Sequence, residues 1–469
     1  MISFSPLDIA IIVVFFILLL LIGFISSKKT LSNSEDYLLS GRKVGLVLFV
    51  LINVSTWYGG IIGVGEFTYR YGILSWVTQG LPYYFFAFLF ALFFAKKIRN
   101  ASLFTIPDKL NNVYGKKVAL VSAIIVFILV SPAPYLLMSA NLISLVFNFP
   151  IIISLIIAII LSGSYLIKGG FRSNVYADAF QFFVMFIGFI IIVVVCFVSF
   201  GGLNFLQQNL PASHLKITGD ASPEFLVIWF LIALWTFADP GFHQRSYAAK
   251  SGEVAQKGII ISIFFWALFD FLTTSSGLYA KAILPDLDSP VLSFPLLAEK
   301  VLSPGLKGIF YAAMFATIIS TLNSFLFLSA TTISKDFIFR IKKSPDEKKI
   351  KLYTIVGLFI SGTISIIIAY LIPSVVEIWY TIGSLFIPAI ILPVISAYYE
   401  RLRITNKLIL IEILGAVLVS VAWLFIKDNF TQIILKEIEP MLVGLTFAVL
   451  IHSYGLLSKF SFLNQRQNN

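Results

Sequence analysis

Four hydroxyl side chains stand at helical spacing in one stretch of this chain. Thr317, Ser320, Thr321 and Ser324 fall at i, i+3, i+4 and i+7 within the segment from Thr317 to Asp336, TIISTLNSFLFLSATTISKD. On a helix that spacing puts all four on one face. The other residues are largely Phe, Leu, Ile and Ala, so the face is a polar stripe on an apolar rod. Two chemistries suit such a stripe. Small hydroxyl residues let helices approach closely and can bond to their own backbone. The same oxygens could also ligate a hard cation such as Na⁺, because hard cations take oxygen donors. Spacing alone leaves both open.

The elements that carry this stripe are set by composition. The chain has 469 residues, of which 59% are hydrophobic and 12% charged, and its mean hydropathy is +0.95. A soluble globular domain of this length is excluded. Long apolar runs recur from end to end, as in a polytopic helical membrane protein. The single cysteine, Cys196, excludes disulfides within the chain, and the scattered His214, His243 and His452 argue against a histidine metal centre. The run from Leu7 to Phe24 is long for a signal-peptide core and lacks a basic leader, so it reads as a retained helix.

About thirteen spans are expected, near 6–26, 45–70, 74–96, 118–147, 149–167, 175–199, 223–244, 258–280, 308–334, 352–372, 375–398, 406–426 and 439–458. The longest connections, 97–117, 200–222, 281–307 and 335–351, leave no room for a separate soluble domain. Charge sets the expected orientation. Most of the 34 basic residues fall in 28–43, 96–117, 168–172, 245–257, 335–351, 401–407 and the C-terminal tail. The opposite side holds only Arg70, Lys216, Lys281, Lys300, Lys307, Lys427 and Lys436. The positive-inside rule then places the N-terminus outside and the C-terminus in the cytoplasm, in a plasma (cell inner) membrane. The net charge of +11 is an inner-leaflet feature on this reading, not a nucleic-acid footprint.

Two spans carry helix breakers. The second holds Asn53-Val-Ser-Thr-Trp-Tyr-Gly-Gly60 and then Gly63 and Gly65; the seventh holds Trp235-Thr-Phe-Ala-Asp-Pro-Gly241. Clustered glycines unwind a helix, and Pro240 removes an N–H and disfavours helix at Asp239. Paired interruptions in corresponding halves point to a transport site; two simple kinks are the plainer alternative. Glu66, Asp178, Asp239, Asp270 and Glu377 are ionisable residues expected inside spans, where each needs a partner, water or an ion. Glu66 is expected to pair with Arg70. Asp178 could serve an ion, or simply pair with Arg172 or Lys168.

Together these stretches resemble the sodium:solute symporter family, which includes sodium/proline, sodium/sugar and sodium/sialic-acid carriers. The resemblance rests on Ser34-Glu-Asp-Tyr-Leu-Leu-Ser-Gly-Arg42, on Tyr165-Leu-Ile-Lys-Gly-Gly170 with Tyr176-Ala-Asp178 and Gln181, and on Gln244-Arg245 with Ala248-Ala-Lys-Ser251. The hydroxyl helix ending at Asp336 completes it, so that the match covers about 30–400.

The family implies an all-α polytopic membrane fold with the five-plus-five inverted repeat of the leucine-transporter type. An N-terminal helix and inner loop would occupy 1–43, the repeats 44–199 and 200–398, and two additional helices and the tail 399–469. The sodium site it implies takes the backbone carbonyls of Leu51, Val54 and Thr317 and the hydroxyls of Ser320 and Thr321. Asp178 matches an acidic residue that in some members lies on the ion pathway or at a second sodium site. The companion positions are Asn323 and Ser324, and Asn323 departs from the serine found there.

Candidate solute contacts are Asn53, Trp57, Tyr58, Gly59, Gly60, Trp235, Phe237 and Asp239. Trp57 and Tyr58 offer few fixed partners for a cluster of sugar hydroxyls. The N–H groups at Gly59-Gly60 favour a carboxylate. The expectation is therefore a sodium-coupled symporter for an amino acid or small carboxylate in a lipid bilayer, with no bond chemistry. Its rivals are a proton-coupled carrier of the same fold, working through Asp178 or Asp239, and a non-transporting sensor module. The last span is expected to end near Ser458, with no output domain before Asn469. A membrane enzyme is disfavoured by the lack of a His, Cys or paired-carboxylate constellation.

Overall fold

The computed structural model describes residues 2–30, 33–342, 346–430 and 438–467. The described residues form helices and no strand. Among the described residues, eleven helices are long and apolar enough to cross a bilayer. One of these, Ile151–Phe200, holds 50 residues. At 1.5 Å per residue it would run about 75 Å, more than twice the hydrocarbon thickness. It turns at Gly170, where φ is 54° and ψ is −142°. Only glycine suits that turn, since a Cβ there would stand 2.3 Å from the Tyr37 carbonyl oxygen. Dividing this helix, and adding the interrupted pair Leu46–Ser55 and Ile61–Tyr71, gives the thirteen expected crossings.

The hydroxyl helix, Leu306–Thr331, is almost wholly buried. Small residues make that possible. Gly188 approaches Ala313 so closely that a Cβ would lie 2.3 Å from the alanine methyl, and Gly357 packs against the Ala330 backbone in the same way. Its first turn is held by the N-terminal helix, Pro6–Ser27. Asp8 Oδ1 accepts the N–H groups of Gly305 at 2.8 Å and Gly308 at 2.9 Å, satisfying donors that a helix start leaves free. Past its C-terminal end, Arg340 donates to Asp108 at 2.8 Å and to Asp336 at 3.0 Å.

Several expectations shift. The span expected at 118–147 is two helices, Lys116–Leu129 and Ala133–Phe147, meeting beside Pro132. A bend at Gly80 separates Leu74–Gln79 from Leu81–Phe90. Glu377 is no buried carboxylate: it is exposed in the first turn of Val375–Tyr398, where its own N–H donates to Ser374 Oγ at 3.2 Å. Glu66 does pair with Arg70, at 3.0 Å. Arg245, expected in an inner loop, is instead buried in the helix Pro240–Ala248. Of the connections used for orientation, 343–345 and Lys436 lie outside the described residues.

Candidate functional site

The first interrupted helix ends at Ser55, resumes at Ile61 and leaves Thr56, Trp57, Tyr58, Gly59 and Gly60 between. The hydroxyl helix meets it there. Thr321 Oγ1 donates to the Thr56 carbonyl at 3.0 Å, and Ser320 Oγ lies 3.2 Å from Ser55 Oγ. Gly59 is what allows this approach, since a Cβ would stand 2.4 Å from Thr321 Cβ. The structure therefore brings Ser320 and Thr321 to the end of the helix that carries Leu51 and Val54. The Val54 carbonyl accepts the Trp57 N–H at 3.2 Å. The Thr317 hydroxyl turns back to the Met314 carbonyl at 2.7 Å, which leaves its own carbonyl to face Thr321 at 3.4 Å.

Behind these oxygens stands Asp178. Ser320 Oγ donates to Asp178 Oδ1 at 2.8 Å, and Asn174 Nδ2 donates to Asp178 Oδ2 at 3.0 Å and to Ser324 Oγ at 2.9 Å. Arg172 pairs with Asp36 at 2.7 Å instead, so the simple Asp178–Arg172 pairing is not the arrangement found. Asn323 Nδ2 bonds the Tyr165 hydroxyl. The Oδ1 atoms of Asn174 and Asn323 are buried without a hydrogen-bond partner among the described residues. Gln181, with its amide turned to satisfy both ends, donates to the Ala177 carbonyl and accepts the Ser320 N–H, each at 3.3 Å. The result is a buried cluster of neutral oxygens around one carboxylate. A singly charged hard cation fits that donor set; a softer metal would call for sulfur or imidazole.

The second interruption is built differently. A 3₁₀ turn, Ala233–Phe237, leads to Asp239, whose Oδ1 accepts the Phe242 N–H at 2.9 Å and caps Pro240–Ala248. Asp239 is thus engaged by its own helix. From that helix Arg245 reaches across to Thr56 Oγ1, tying the two interruptions together. Phe237 packs against Phe94 at 5.2 Å between ring centroids, and Trp235 is half-buried beside Asp239.

On the solute side, the Trp57 ring lies 4.9 Å from Trp266, 5.1 Å from Tyr83 and 5.7 Å from Phe242. The Tyr58 hydroxyl donates to the Trp266 carbonyl at 2.8 Å. Asn53 is buried, and neither atom of its amide has a partner among the described residues. Trp379 covers Gly60, where a Cβ would meet its ring at 2.7 Å. Sequence reasoning missed Asn174, Arg245 and Trp379. Each acts across a long sequence separation; only the charge of Arg245 beside a broken helix was a usable signal.

The family model of the sodium:solute symporter family matches residues 37–407. The chain is 27% identical over 409 residues to the sodium/pantothenate symporter of Escherichia coli (strain K12), covering 82% of this chain and 84% of that protein. It is 23% identical to sodium/glucose cotransporter 4 of Danio rerio over 77% of this chain, and spans 62% of that longer carrier. A solved structure of a substrate-bound, outward-open Na⁺-coupled sialic acid symporter superposes with a TM-score of 0.83 at 16% identity, covering 97% of this chain and 98% of the other. That likeness shows the fold, a five-plus-five inverted repeat of the leucine-transporter type.

Proposed function

This chain belongs to the sodium:solute symporter family, an integral membrane carrier that couples solute import to Na⁺, and on that premise we propose how its residues divide the work. Na⁺ binds where the hydroxyl helix meets the first interruption, on the carbonyls of Leu51, Val54 and Thr317 and the hydroxyls of Ser320 and Thr321. The observation that carries this is the contact of Thr321 with Thr56 and of Ser320 with both Ser55 and Asp178. Five neutral oxygens suit an ion that must be bound and then released. Asp178, with Asn174, Ser324 and the free oxygens of Asn174 and Asn323, lies on the ion route and draws the cation electrostatically.

The solute is an amino acid or small carboxylate. Its carboxylate sits at the start of Ile61–Tyr71, which no side chain caps. Asn53, Trp57, Tyr58, Gly59 and Gly60 face it from the first interruption, and Trp235, Phe237 and Asp239 support the second. Because Na⁺ joins the two halves, its binding promotes closure over the solute and its loss inside reopens the carrier. The gradient supplies roughly 2.3 kcal/mol per charge per 100 mV, plus the concentration term. The repeats occupy 44–199 and 200–398, the N-terminus faces outward and the C-terminus the cytoplasm.

Uptake into proteoliposomes tests the reading. Radiolabelled amino acids and small carboxylates should accumulate under an imposed Na⁺ gradient and not under a pH gradient without Na⁺. Accumulation driven by pH alone would overturn it. Orientation is read separately, after Cys196→Ala. A cysteine at Lys216 should react with an impermeant thiol reagent in intact cells, and one at Lys348 should not.

A further inference from the structure

We propose that Asp270 recognises a protonated amine on the transported solute. The proposal deepens the solute reading above and rests on it. Asp270 lies midway along Gly252–Ile283, one turn after Trp266 on the same face. Phe264, Leu268 and Phe271 mark the opposite, outward face, at 66%, 41% and 63% exposure. A carboxylate at this depth is costly and is normally paired. Asp270 is half-buried. The buried aspartates of the spans have cations nearby: Asp8 has Lys307, Asp336 has Arg340, and Asp178 and Asp239 face Arg245. Among the described residues Asp270 has none. Its neighbours are the Tyr84 hydroxyl, which donates to Oδ2, and the Tyr58 hydroxyl. Trp76 Nε1 in turn donates to Tyr84 at 3.2 Å.

The surroundings are shaped for a cation with an organic body. Gly80, at the bend of its helix, leaves the room the carboxylate uses; a Cβ there would lie 3.0 Å from Oδ2. Tyr58 belongs to the first interruption, so Asp270 adjoins the place assigned to the solute. Next to Tyr58 in that interruption, Trp57 packs against the rings of Tyr83, Phe242 and Trp266, and the buried Trp266 Nε1 has no partner among the described residues. A carboxylate beside aromatic faces suits an alkylammonium, through a charge-assisted hydrogen bond and cation–π attraction. Na⁺ shares the charge but needs more oxygen donors than one carboxylate and two phenols provide. With a carboxylate held at the start of Ile61–Tyr71, the solute becomes a zwitterion: an amino acid rather than a simple organic acid.

The test uses the purified full-length carrier in NaCl. Thermal stabilisation is measured with matched sets of L-amino acids, the corresponding 2-hydroxy acids, and the corresponding amines without a carboxylate. In the wild type, the best amino acid should half-saturate at about tenfold lower concentration than its hydroxy analogue. In Asp270→Asn that preference should fall to about twofold or less, with the Na⁺ concentration for half-stabilisation unchanged. Asp270→Glu, which keeps the charge, should keep the preference and serves if the Asn variant does not fold. The proposal is overturned if hydroxy acids stabilise the wild type equally or if no amine-bearing compound does. It is also overturned if Asp270→Asn keeps the preference, or shifts only the Na⁺ dependence, which would mark the cation as Na⁺. A wild type that Na⁺ itself fails to stabilise would overturn the symport reading, and this proposal with it.

Discussion

The two interrupted helices begin their second halves in opposite ways. Ile61–Tyr71 begins at Gly60 with no side chain on its free N–H groups, whereas Pro240–Ala248 begins at Asp239, whose carboxylate caps it. A proline at the first helical position removes one more free donor there. Among the described residues the first restart thus has no side-chain cap, and the second is capped by its own sequence. The uncapped one is also where the hydroxyl helix, Trp57 and Asn53, whose amide has no partner among the described residues, converge. Interruption alone therefore does not mark a binding position; an interruption that leaves polar groups unsatisfied does.

The largest expected effect comes from cutting the tie between the two. Arg245→Met leaves Asp178 and Asp239 buried without their cation and removes the bond to Thr56. A loss of about 3–5 kcal/mol is expected, read as a marked drop in thermal stability of the purified carrier. A variant as stable as the wild type would mean that the interruptions are positioned independently. Next is Gly59→Ala. Its methyl group would collide with Thr321, costing about 1–3 kcal/mol of overpacking. The hydroxyl helix must move away from the first interruption, so the Na⁺ requirement for uptake should rise together with the loss of stability. A stability change without any Na⁺ effect would separate the two.

Asp239→Ala should cost about 1 kcal/mol more than Asp239→Asn, which keeps the N-cap, since that is the usual worth of such a cap. Equal losses in both would assign Asp239 a charge-dependent role and weaken the contrast drawn above. The smallest effect concerns the C-terminal end of the first interrupted helix. His214 bonds the Tyr69 carbonyl through Nε2 at 3.1 Å, and its own carbonyl accepts the Ile73 N–H. Burial lowers its pKa, and Lys281 adds to the effect, although the bond to Tyr69 opposes it. The folded protein therefore favours the neutral ring. Its contribution to stability is complete above the unfolded value, about 6.5, and is lost as pH falls below that toward the folded pKa. Melting temperature should decline over that window in the wild type and be flatter in His214→Gln.

Much of this was legible in the sequence because the signals were local. Gly59-Gly60 and Asp239-Pro240 announce their interruptions through backbone restrictions that need no partner. The hydroxyl stripe is readable because helical periodicity alone aligns Ser320 with Thr321 and Ser324. Pro132 and Gly80 carried the same kind of local signal for two further bends. What could not be read was pairing across the fold. Asp178 could have met Arg172 as easily as Ser320, 142 positions away, and only the packed structure decides. Arg245 looked like an inner-loop charge because it follows an apolar run; it is buried because it reaches the first interruption, where it bonds Thr56. Glu377 looked like a membrane carboxylate because its helix is apolar, yet it sits in that helix's exposed first turn. Trp379 gave no signal, since nothing local distinguishes a tryptophan that covers a site from one that faces lipid.

The most direct test of the central assignment is a Na⁺ titration of thermal stability in the wild type, Ser320→Ala, Thr321→Ala and Ser329→Ala. Ser329 lies on the same helix but bonds Ser361 at 2.9 Å, away from the interruption, and so controls for loss of any hydroxyl. Alanine keeps the helix intact, so the change should fall on the ion. The account predicts that half-stabilisation shifts to about tenfold higher Na⁺ in Ser320→Ala and Thr321→Ala and stays at the wild-type value in Ser329→Ala. Three variants titrating alike would contradict the placement of Na⁺ between the hydroxyl helix and the first interruption.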